Sequence, residues 1–463
     1  MSKKKKLPGE DEAPVATLPE AKAWAAAREV IEIECLVPDL AGVARGKIMP
    51  ASKFLDDPVM ALPSSIFMQT ISGEYPEESD SFRYDPADGD IELHPDFATL
   101  SDVPWAHDPT AQVIHDALFH DGRPVEVAPR QVLKRIIGLY ARRGWKAVVA
   151  PELEFYLVKR NLDPDYPLEP PVGRSGRAEA GRRSYSISAV NEFDAVFEDI
   201  YAFAEAQALE VDTLIHEEGA AQMEINLRHG DPLWLADQVF LLKRTIREAA
   251  LKHDIYATFM AKPIAHEPGS AMHIHQSVVD AVTEENIFTG PNGKPTAAFF
   301  HFIGGQQKYI APVTCMLAPY VNSYRRLVKS ASAPVNTQWG YDNRTTGLRI
   351  PPSSPANRRV ENRVPSSDAN PYLAMAATLA AGYLGLVQRL EPGEPTEGEA
   401  QSDDLDLPGG LLEAVDLFEG TEELAELFGR SFMSTFTAVK RAEFATFMRV
   451  ISPWEREFLL LNV

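Results

Sequence analysis

The sequence predicts an α+β protein built on an antiparallel sheet. Segments that alternate apolar with polar residues lie at positions 151–157, 222–228, 272–275 and 359–363. A period of two residues is typical of strands that bury one face and expose the other. Longer apolar or amphipathic stretches predict helices at residues 128–143, 192–209, 232–253 and 372–387. Helices of this length beside such strands favour a sheet flanked by helices.

The N-terminal part of the chain predicts a smaller, strand-rich unit. Short strands are predicted at residues 30–37, 46–49, 91–93 and 111–114. Many Pro, Asp and Gly residues surround them, and the first clear helix begins at residue 128, so we place the end of this unit near residues 120–130. Residues 1–24, which include Lys3 to Lys6, are predicted to be a disordered tail.

Composition narrows the class of protein. A chain of 463 residues with 45% hydrophobic content can bury a large core. Its two cysteines, Cys35 and Cys315, provide neither a disulfide framework nor a thiolate metal site, so we expect a cytoplasmic protein. The net charge of −22 argues against binding to nucleic acid, because phosphate backbones require a basic surface.

No segment of the sequence predicts contact with a membrane. The longest nearly apolar stretch, residues 372–387, is shorter than the roughly 18 residues that a membrane span requires. Asn370 as a cap and Pro371 at the first helical position instead predict a buried core helix. Pro, Gly and acidic residues follow the terminal lysines, so we expect no signal peptide.

The alternating segments carry a set of potential metal ligands. The set comprises Glu152, Glu154, Glu217, Glu224, His273 and Glu361. Glu152 and Glu154 are two residues apart and therefore lie on one face of their strand, as do His273 and His275 on theirs. Carboxylates in this number meet only around hard cations such as Mg²⁺ or Mn²⁺, so their joint occurrence predicts a metal-dependent enzyme.

Each motif alone has a more ordinary interpretation. Two glutamates on a strand are typical of a solvated edge, because charged residues are mostly exposed. The histidine pair is compatible with a buried core as well as with a ligand site. The Arg359, Glu361 and Arg363 series is also typical of a surface ladder of ion pairs. Only the combination favours an active site.

Several ordered motifs resemble those of glutamine synthetases across residues 25–463. The matching segments are residues 39–47, 151–155, 217–224, 269–275, 322–327, 359–363 and 370–373. The resemblance implies a small N-terminal β-grasp domain at residues 25–122. It also implies a large catalytic domain at residues 123–463, with a curved antiparallel sheet flanked by helices. Homo-oligomers of hexameric rings, stacked as a dodecamer with active sites between subunits, are implied as well.

The same resemblance implies two metal groups, with two to three divalent ions in each site. Glu154, Glu217 and Glu224 would hold the metal near the γ-carboxylate of glutamate, with Glu218 as a rival for Glu217. Glu152, His273 and Glu361 would hold the metal at the phosphates of ATP.

Other positions would bind the substrates themselves. His275, Ser277 and Arg359 would contact the nucleotide. Arg326 and Arg363 would bind the carboxylates of glutamate, and Gly269 would do so through its backbone. Arg344 and Arg349 would stabilise the phosphoryl group during its transfer, because guanidinium binds phosphate bidentately.

Departures from the family pattern concern the incoming amine. Leu62 and Ser332 stand where ammonia-using members have carboxylates, whereas Tyr185 matches the aromatic residue of the ammonium pocket. Pro268 replaces a usual Asn next to Gly269. Because these changes remove the anions that capture a small cation and enlarge the pocket, the chain is most similar to the γ-glutamylpolyamine synthetase branch.

Four alternatives remain open from the sequence. They are a ligase for a monoamine such as ethanolamine, an alkylamine or an aromatic amine, an ordinary glutamine synthetase, a non-catalytic relative, and an enzyme resembling phosphagen kinases. The complete ligand set argues against the non-catalytic relative, and the motif that begins at Asp39 argues against the kinase. Residues 390–410 contain no tyrosine, so we expect no adenylylation there.

Overall fold

The computed structural model describes residues 15–78, 87–329, 333–400 and 407–463. Ser332 and residues 1–14 of the predicted tail therefore lie outside the described residues. Within that tail, the prediction of disorder is wrong from Leu18 onward, because helix α1 (Leu18–Ala27) begins there. Thr17 and Glu20 form a capping box that satisfies the first amides of this helix.

The N-terminal unit is a mixed sheet with one helix packed against it. Its strands are β1 (Glu32–Pro38), β2 (Ala44–Pro50), β3 (Met60–Pro63), β4 (Asp90–Pro95), β5 (Ser101–Asp102) and β6 (Thr110–Leu118). They follow the order β2-β1-β6-β4-β3, with β5 beside β6. The central strands β1 and β6 run parallel, and the other pairs run antiparallel. Helix α2 (Ala51–Asp56) buries Phe54 against this sheet.

A second sheet forms the centre of the remaining chain. Its strands are β7 (Trp145–Lys159), β8 (Val211–His216), β9 (Gln222–Leu227), β10 (Ile255–Thr258), β11 (Met272–Asp280), β12 (Trp339–Tyr341), β13 (Leu348–Ile350) and β14 (Val360–Asn362). The order is β12-β13-β14-β11-β7-β9-β8, with β10 beside β7. The expected antiparallel pairing is found throughout except at one edge, where β12 and β13 run parallel.

Helices form most of the rest of this part of the chain, and several of them pack on the apolar face of the second sheet. They are α3 (Pro129–Ala141), α4 (Ile187–Val190), α5 (Asp194–Ala206), α6 (Pro232–Lys252), α7 (Ala297–Leu317), α8 (Val321–Tyr324), α9 (Pro371–Gln388), α10 (Leu411–Glu419), α11 (Glu422–Phe428), α12 (Arg430–Phe447) and α13 (Pro453–Leu459). Short 3₁₀ turns occur at Ser64–Met68, Phe97–Thr99, Asn191–Phe193 and Pro355–Asn357. The predicted core helix is confirmed, since Asn370 caps α9 and nearly all of that helix is buried.

Helices α7 and α9 approach each other closely through glycines. A Cβ atom at Gly305 would lie 2.3 Å from the carbonyl oxygen of Ala381, and one at Gly385 would lie 2.1 Å from that of His301. Real Cβ atoms do not come this near to backbone, so both positions require glycine while the helices keep this separation.

A buried charge cluster joins the two sheets. Arg130 at the start of α3 binds Asp237 of α6 with two hydrogen bonds, of 3.0 and 2.9 Å. The same guanidinium donates to Asp116 of β6 at 2.7 Å and to Asp96, which follows β4, at 2.6 Å. The hydroxyl of Tyr372 on α9 donates to Asp237 at 2.7 Å. This Arg130 cluster links the N-terminal sheet to helices of the larger unit.

Among the described residues, no helix combines the length and the apolar composition needed to cross a membrane.

Candidate active site

The polar faces of four adjacent strands converge on one surface of the second sheet. The strands β14, β11, β7 and β9 are neighbours in that order. His273 pairs with Glu152, His275 pairs with Glu361, and Glu154 pairs with Glu224. Directly paired residues point to the same side of a sheet, so this register brings the predicted ligands of the four strands together.

Glu152 is the centre of the carboxylate and imidazole cluster. Its carboxylate oxygens lie 2.8 Å from Nε2 of His275 and 3.3 Å from Nδ1 of His273. One oxygen or nitrogen of each of Glu152, His275 and Glu361 lies within 4.8 Å of the others, and the same holds for Glu152, Glu224 and His273. Both groups can therefore hold a cation that Glu152 shares.

This partition differs from the one that the resemblance implies. Glu154 belongs to neither group, because its carboxylate accepts a hydrogen bond from the Ala271 amide at 2.7 Å and one from Gln222 at 3.3 Å. His275 joins Glu361, although it was predicted to contact the nucleotide. The roles of these residues stay predictions, whereas their proximity is a property of the fold.

Glu217 reaches the cluster from the turn between β8 and β9. Its amide donates to the carbonyl of Gln222 at 2.8 Å, which closes this turn. Glu217 and Glu154 line the same cavity, and Glu217 adds to the burial that raises the pKa of Glu154. The neighbouring Glu218 binds Arg182 at 2.5 Å. These contacts favour Glu217 over Glu218 as the ligand beside Glu154.

Burial shapes the ionisation of the cluster. It raises the pKa of Glu154 to about 8, and Glu217 adds to that rise. Burial also raises the pKa of Glu224 to about 9, with Glu152, Glu154 and Glu217 contributing. For Glu152, burial is outweighed by hydrogen bonds from His273 and His275, which hold its pKa below the ordinary value. Anions that face one another at this depth need a cation to ionise together.

The donor set fits divalent cations. Carboxylate oxygens with an imidazole nitrogen suit Mg²⁺ or Mn²⁺, and the raised pKa values mark the positions where positive charge is required. Among the ion pairs of the described ranges, neither Glu154 nor Glu224 is neutralised by an arginine or a lysine. A bound cation would therefore replace protons at these carboxylates.

Two cavities meet at this cluster. The smaller, of about 220 Å³, is lined by Glu154, Glu217 and Glu224, and it opens toward Gly269 and Arg344. The larger, of about 430 Å³, is lined by the predicted nucleotide contacts, which are His275, Ser277 and Arg359. Glu152 and Asn226 line both cavities. We call them the carboxylate cavity and the outer cavity.

Arginines surround the carboxylate cavity. Arg363 and Arg349 donate to the two oxygens of Glu361, at 2.6 and 2.7 Å. Arg326 is buried and donates to the carbonyls of Arg363 and Val364, at 2.9 and 2.8 Å. The Nε of Arg363 is buried without a hydrogen-bond partner. That free donor suits an anionic substrate group.

Gly269 is required by the approach of Arg326. A Cβ atom at this position would lie 2.6 Å from both the Ala261 carbonyl oxygen and the Cγ of Arg326. The bare backbone of Gly269 therefore borders the carboxylate cavity, next to Pro268. The Pro268 carbonyl accepts a hydrogen bond from Tyr156 at 2.8 Å.

In the outer cavity, Arg359 donates to Nδ1 of His275 at 3.2 Å. Ser277 lies two residues further along β11 on the same face.

Asn226 and Gln222 lie in the alternating segment that forms β9, but the sequence analysis assigned them no role. Asn226 carries a buried Oδ1 without a partner, and Gln222 binds Glu154. Alternation along β9 was the signal that could have identified them.

The predicted amine-pocket residues are not all brought together. Tyr185 lines the carboxylate cavity, with a side chain that is 67% exposed. Leu62 lies on β3 of the other sheet, where it packs against the N-terminal core and does not line either cavity. Ser332 lies outside the described residues, although the nearby Ala333 borders the carboxylate cavity.

Known proteins share this architecture. The family model described as glutamine synthetase, catalytic domain, matches residues 126–459. The chain is 35% identical over 437 residues to Gamma-glutamylputrescine synthetase PuuA of Escherichia coli (strain K12), covering 93% of this chain and 92% of that protein. It is 34% identical over 433 residues to a glutamine synthetase of Pyrococcus abyssi, covering 90% and 91%.

A solved structure, apo GmaS without ligand, matches the fold with a TM-score of 0.80 and 28% sequence identity. The match covers 94% of this chain and 98% of that chain. The α+β arrangement expected from the sequence is thus confirmed over nearly the whole length.

Proposed function

The chain belongs to the glutamine synthetase family, and from that premise we propose that it joins the γ-carboxylate of L-glutamate to an organic amine, most specifically a diamine or polyamine such as putrescine or spermidine. The observation that carries the ligase activity is the carboxylate cavity. Glu154, Glu217 and Glu224 line this cavity of about 220 Å³ together with a set of arginines. Such a site can hold an anionic substrate and neutralise charge that moves during a reaction.

The reaction has two balanced steps. An oxygen of the γ-carboxylate attacks the γ-phosphorus of ATP, and ADP leaves with the electrons of the broken P–O bond. The uncharged amine then attacks the acyl carbon, phosphate leaves, and the amine nitrogen loses a proton. Phosphorylation is needed because a carboxylate and an amine do not condense at neutral pH.

Each arginine has a position suited to one part of this chemistry. Arg326 and Arg363 are buried at the inner end of the cavity, where they would hold the carboxylates of glutamate. Arg344 and Arg349 line the same cavity and would neutralise the phosphoryl group during transfer. Arg359 and His275 in the outer cavity would bind the nucleotide.

The metal ligands would hold two to three Mg²⁺ or Mn²⁺ ions. The residues concerned are Glu152, Glu154, Glu217, Glu224, His273 and Glu361. When bound, these ions neutralise the phosphates and the γ-carboxylate, so that one anion can approach another. Without them, the pKa values of Glu154 and Glu224 are raised to about 8 and 9, which would hold protons where the substrates need positive charge.

Residues 62 and 332 support an organic amine over ammonia. Neither Leu62 nor Ser332 carries a charge, so the capture of a small ammonium ion loses two anions. Tyr185 provides an aromatic wall that a carbon chain can contact. Because Leu62 lies on the N-terminal sheet, we propose that it reaches the carboxylate cavity of a neighbouring subunit in a homo-oligomer of hexameric rings.

The experiment that tests this function measures ADP release by the purified full chain with ATP, Mg²⁺ and glutamate. Ammonium, putrescine, spermidine, ethanolamine, isopropylamine and an aromatic amine are compared at equal concentrations. We expect the largest kcat/KM for a diamine or polyamine. A preference for a monoamine overturns the polyamine assignment, and no release with any amine overturns the ligase itself.

Ammonia is the second candidate, because the glutamine synthetase of Pyrococcus abyssi is nearly as similar to this chain as the putrescine enzyme. The double variant Leu62→Asp, Ser332→Glu distinguishes the two. We expect it to shift the ratio of kcat/KM values toward ammonium by about tenfold, because it restores two anions. An unchanged ratio means that the amine binds elsewhere.

A further inference from the structure

One buried carboxylate stands behind the candidate site without lining it. Glu179 lies in the long connection between β7 and α4, and only 6% of its side chain is exposed. Its Oε2 lies 3.0 Å from Nε2 of His216 and accepts a hydrogen bond from the Ala221 amide at 2.7 Å. His216 is the last residue of β8, and its side chain is fully buried. Neither Glu179 nor His216 borders the carboxylate cavity.

These contacts clamp the turn that presents Glu217. His216 precedes Glu217, and Nδ1 of its ring lies 2.7 Å from the Glu217 carbonyl oxygen. Ala221, at the other end of the turn, has a φ of 57°, a left-handed conformation that a residue with a side chain keeps only when its surroundings enforce it. Glu179 therefore holds both ends of one turn with a single oxygen.

The same clamp fixes the segment that carries Tyr185. The Tyr185 amide donates to the His216 carbonyl at 2.9 Å, and Tyr185 also has a left-handed φ, of 63°. Glu179 and Tyr185 belong to one connection, whereas Glu217 belongs to the turn after β8. His216 is thus the shared contact between the aromatic wall and the carboxylate of the cavity.

We propose that Glu179 is a positioning residue, which acts through His216 to hold Glu217 and Tyr185 in register at the amine end of the carboxylate cavity. The inference rests on the proposed ligase function. A carboxylate suits this task because each oxygen accepts several hydrogen bonds, and this one meets a ring nitrogen and an amide at once. Loss of Glu179 would free both walls of the cavity while leaving the outer cavity intact.

The test uses Glu179→Ala and Glu179→Gln in the full chain, with Glu169→Ala as the matched control. Glu169 is a glutamate of the same connection, but its side chain is 62% exposed and forms an ion pair with Lys159 at 2.7 Å. Three quantities are measured. They are the KM values for amine and ATP, and the affinity for Mn²⁺ without substrates, by electron paramagnetic resonance.

We expect Glu179→Ala to raise the amine KM and to weaken Mn²⁺ binding by about tenfold each, the usual size of effects from residues behind a metal ligand. The ATP KM should stay within about twofold, because the outer cavity does not depend on the clamp. Glu179→Gln keeps one acceptor oxygen for the Ala221 amide and should rescue part of both losses. Glu169→Ala should behave as the wild type.

A lower unfolding midpoint with unchanged amine KM and Mn²⁺ affinity would mean that Glu179 is merely structural, and the proposal would be overturned. If Glu179→Ala fails to fold, the same comparison is made with Glu179→Gln. If the wild type ligates none of the amines, the proposed function fails, but the Mn²⁺ affinities of the same variants still decide whether Glu179 positions the ligand.

Discussion

Two clusters of carboxylates in this protein differ in whether arginine or lysine side chains pair with the carboxylates. In the Arg130 cluster, three aspartates surround one guanidinium, which donates a hydrogen bond to each of them. In the active-site cluster, Glu154 and Glu224 face other carboxylates instead. The residue types are similar, but among the ion pairs of the described residues Glu154 and Glu224 have no arginine or lysine partner, whereas each of the three aspartates has one.

The two clusters also differ in how many of their buried polar atoms have hydrogen-bond partners. Asp237 accepts two hydrogen bonds from Arg130 and one from Tyr372, although burial still raises its pKa. In the active site, the Nε of Arg363 and the Oδ1 of Asn226 are buried without partners. A satisfied cluster stabilises the fold, whereas an unsatisfied one retains the capacity to bind a ligand.

The largest expected effect concerns activity. Glu154→Ala removes a carboxylate from the carboxylate cavity, and we expect ADP release at saturating glutamate and amine to fall by about 10³-fold. Coupled detection of ADP measures this loss. Glu169→Ala, at an exposed glutamate, is the control and should retain full activity. Substantial turnover by Glu154→Ala would remove Glu154 from the metal site.

Removing a charged side chain from the Arg130 cluster should lower the stability of the fold rather than the activity. Arg130→Met leaves Asp237 and Asp96 without their cation, whereas Asp116 keeps its ion pair with Lys134. We expect the free energy of unfolding to fall by about 3 to 5 kcal/mol, as measured by urea denaturation.

The control for this change is Arg123→Met, which removes an exposed ion pair with Asp121. It should leave the free energy of unfolding essentially unchanged, because solvent screens an exposed ion pair. If both variants lost the same stability, burial would not distinguish the two ion pairs, and the comparison of the clusters would fail.

The pH dependence of stability should reveal the unsatisfied cluster. Burial raises the pKa of Glu224 to about 9, so the folded state binds this proton more tightly than the unfolded state does. The stability that Glu224 contributes is complete below about pH 4.5 and is lost as the pH rises through 9. In protein treated with a chelator, Glu224→Gln should gain stability over the wild type by about 1 kcal/mol per pH unit from pH 6 to 8.

Urea denaturation of both proteins at pH 6, 7 and 8 measures this difference. Lys243, whose pKa burial lowers to about 7, titrates in the same range in both proteins, so the comparison cancels it. Adding Mg²⁺ should reduce the advantage of Glu224→Gln, since the cation replaces the proton. A constant difference across the range would mean that Glu224 is ionised in the folded protein.

The smallest expected effect tests whether the Arg130 cluster is fully compensated. Tyr372→Phe removes the hydroxyl that donates to Asp237 but leaves both hydrogen bonds from Arg130. We expect a loss of about 1 kcal/mol in the free energy of unfolding. Tyr166→Phe, at a residue that is 70% exposed, should change nothing measurable. A loss as large as that of Arg130→Met would show that the hydroxyl, not the guanidinium, dominates.

Local alternation was sufficient to predict the strands of the active site, but not their order. The period of two in β7, β9, β11 and β14 shows which residues share a face of each strand. Which strands become neighbours depends on packing between distant segments, and a shift of one residue would turn every ligand away from the site. The pairing of His273 with Glu152 could therefore be known only from the fold.

One error in the sequence analysis and one assignment that stays a prediction have different physical causes. The helix α1 was overlooked although Thr17 and Glu20 form a recognisable capping box, so the signal was present in the residues. Leu62 was assigned to the site by resemblance, and in the single chain it lies on the N-terminal sheet, away from both cavities. No local pattern in the sequence encodes a contact of this kind, so its role stays a prediction.

The contact between Gly305 and Gly385 also has a consequence for how such a protein can evolve. An added methyl group at either position would collide with the backbone of the facing helix, so the helix pair tolerates almost no change. The walls of the carboxylate cavity, such as the exposed Tyr185, are not restricted in this way. Selection can therefore exchange the side chains that meet a new amine while the scaffold beneath them stays constant.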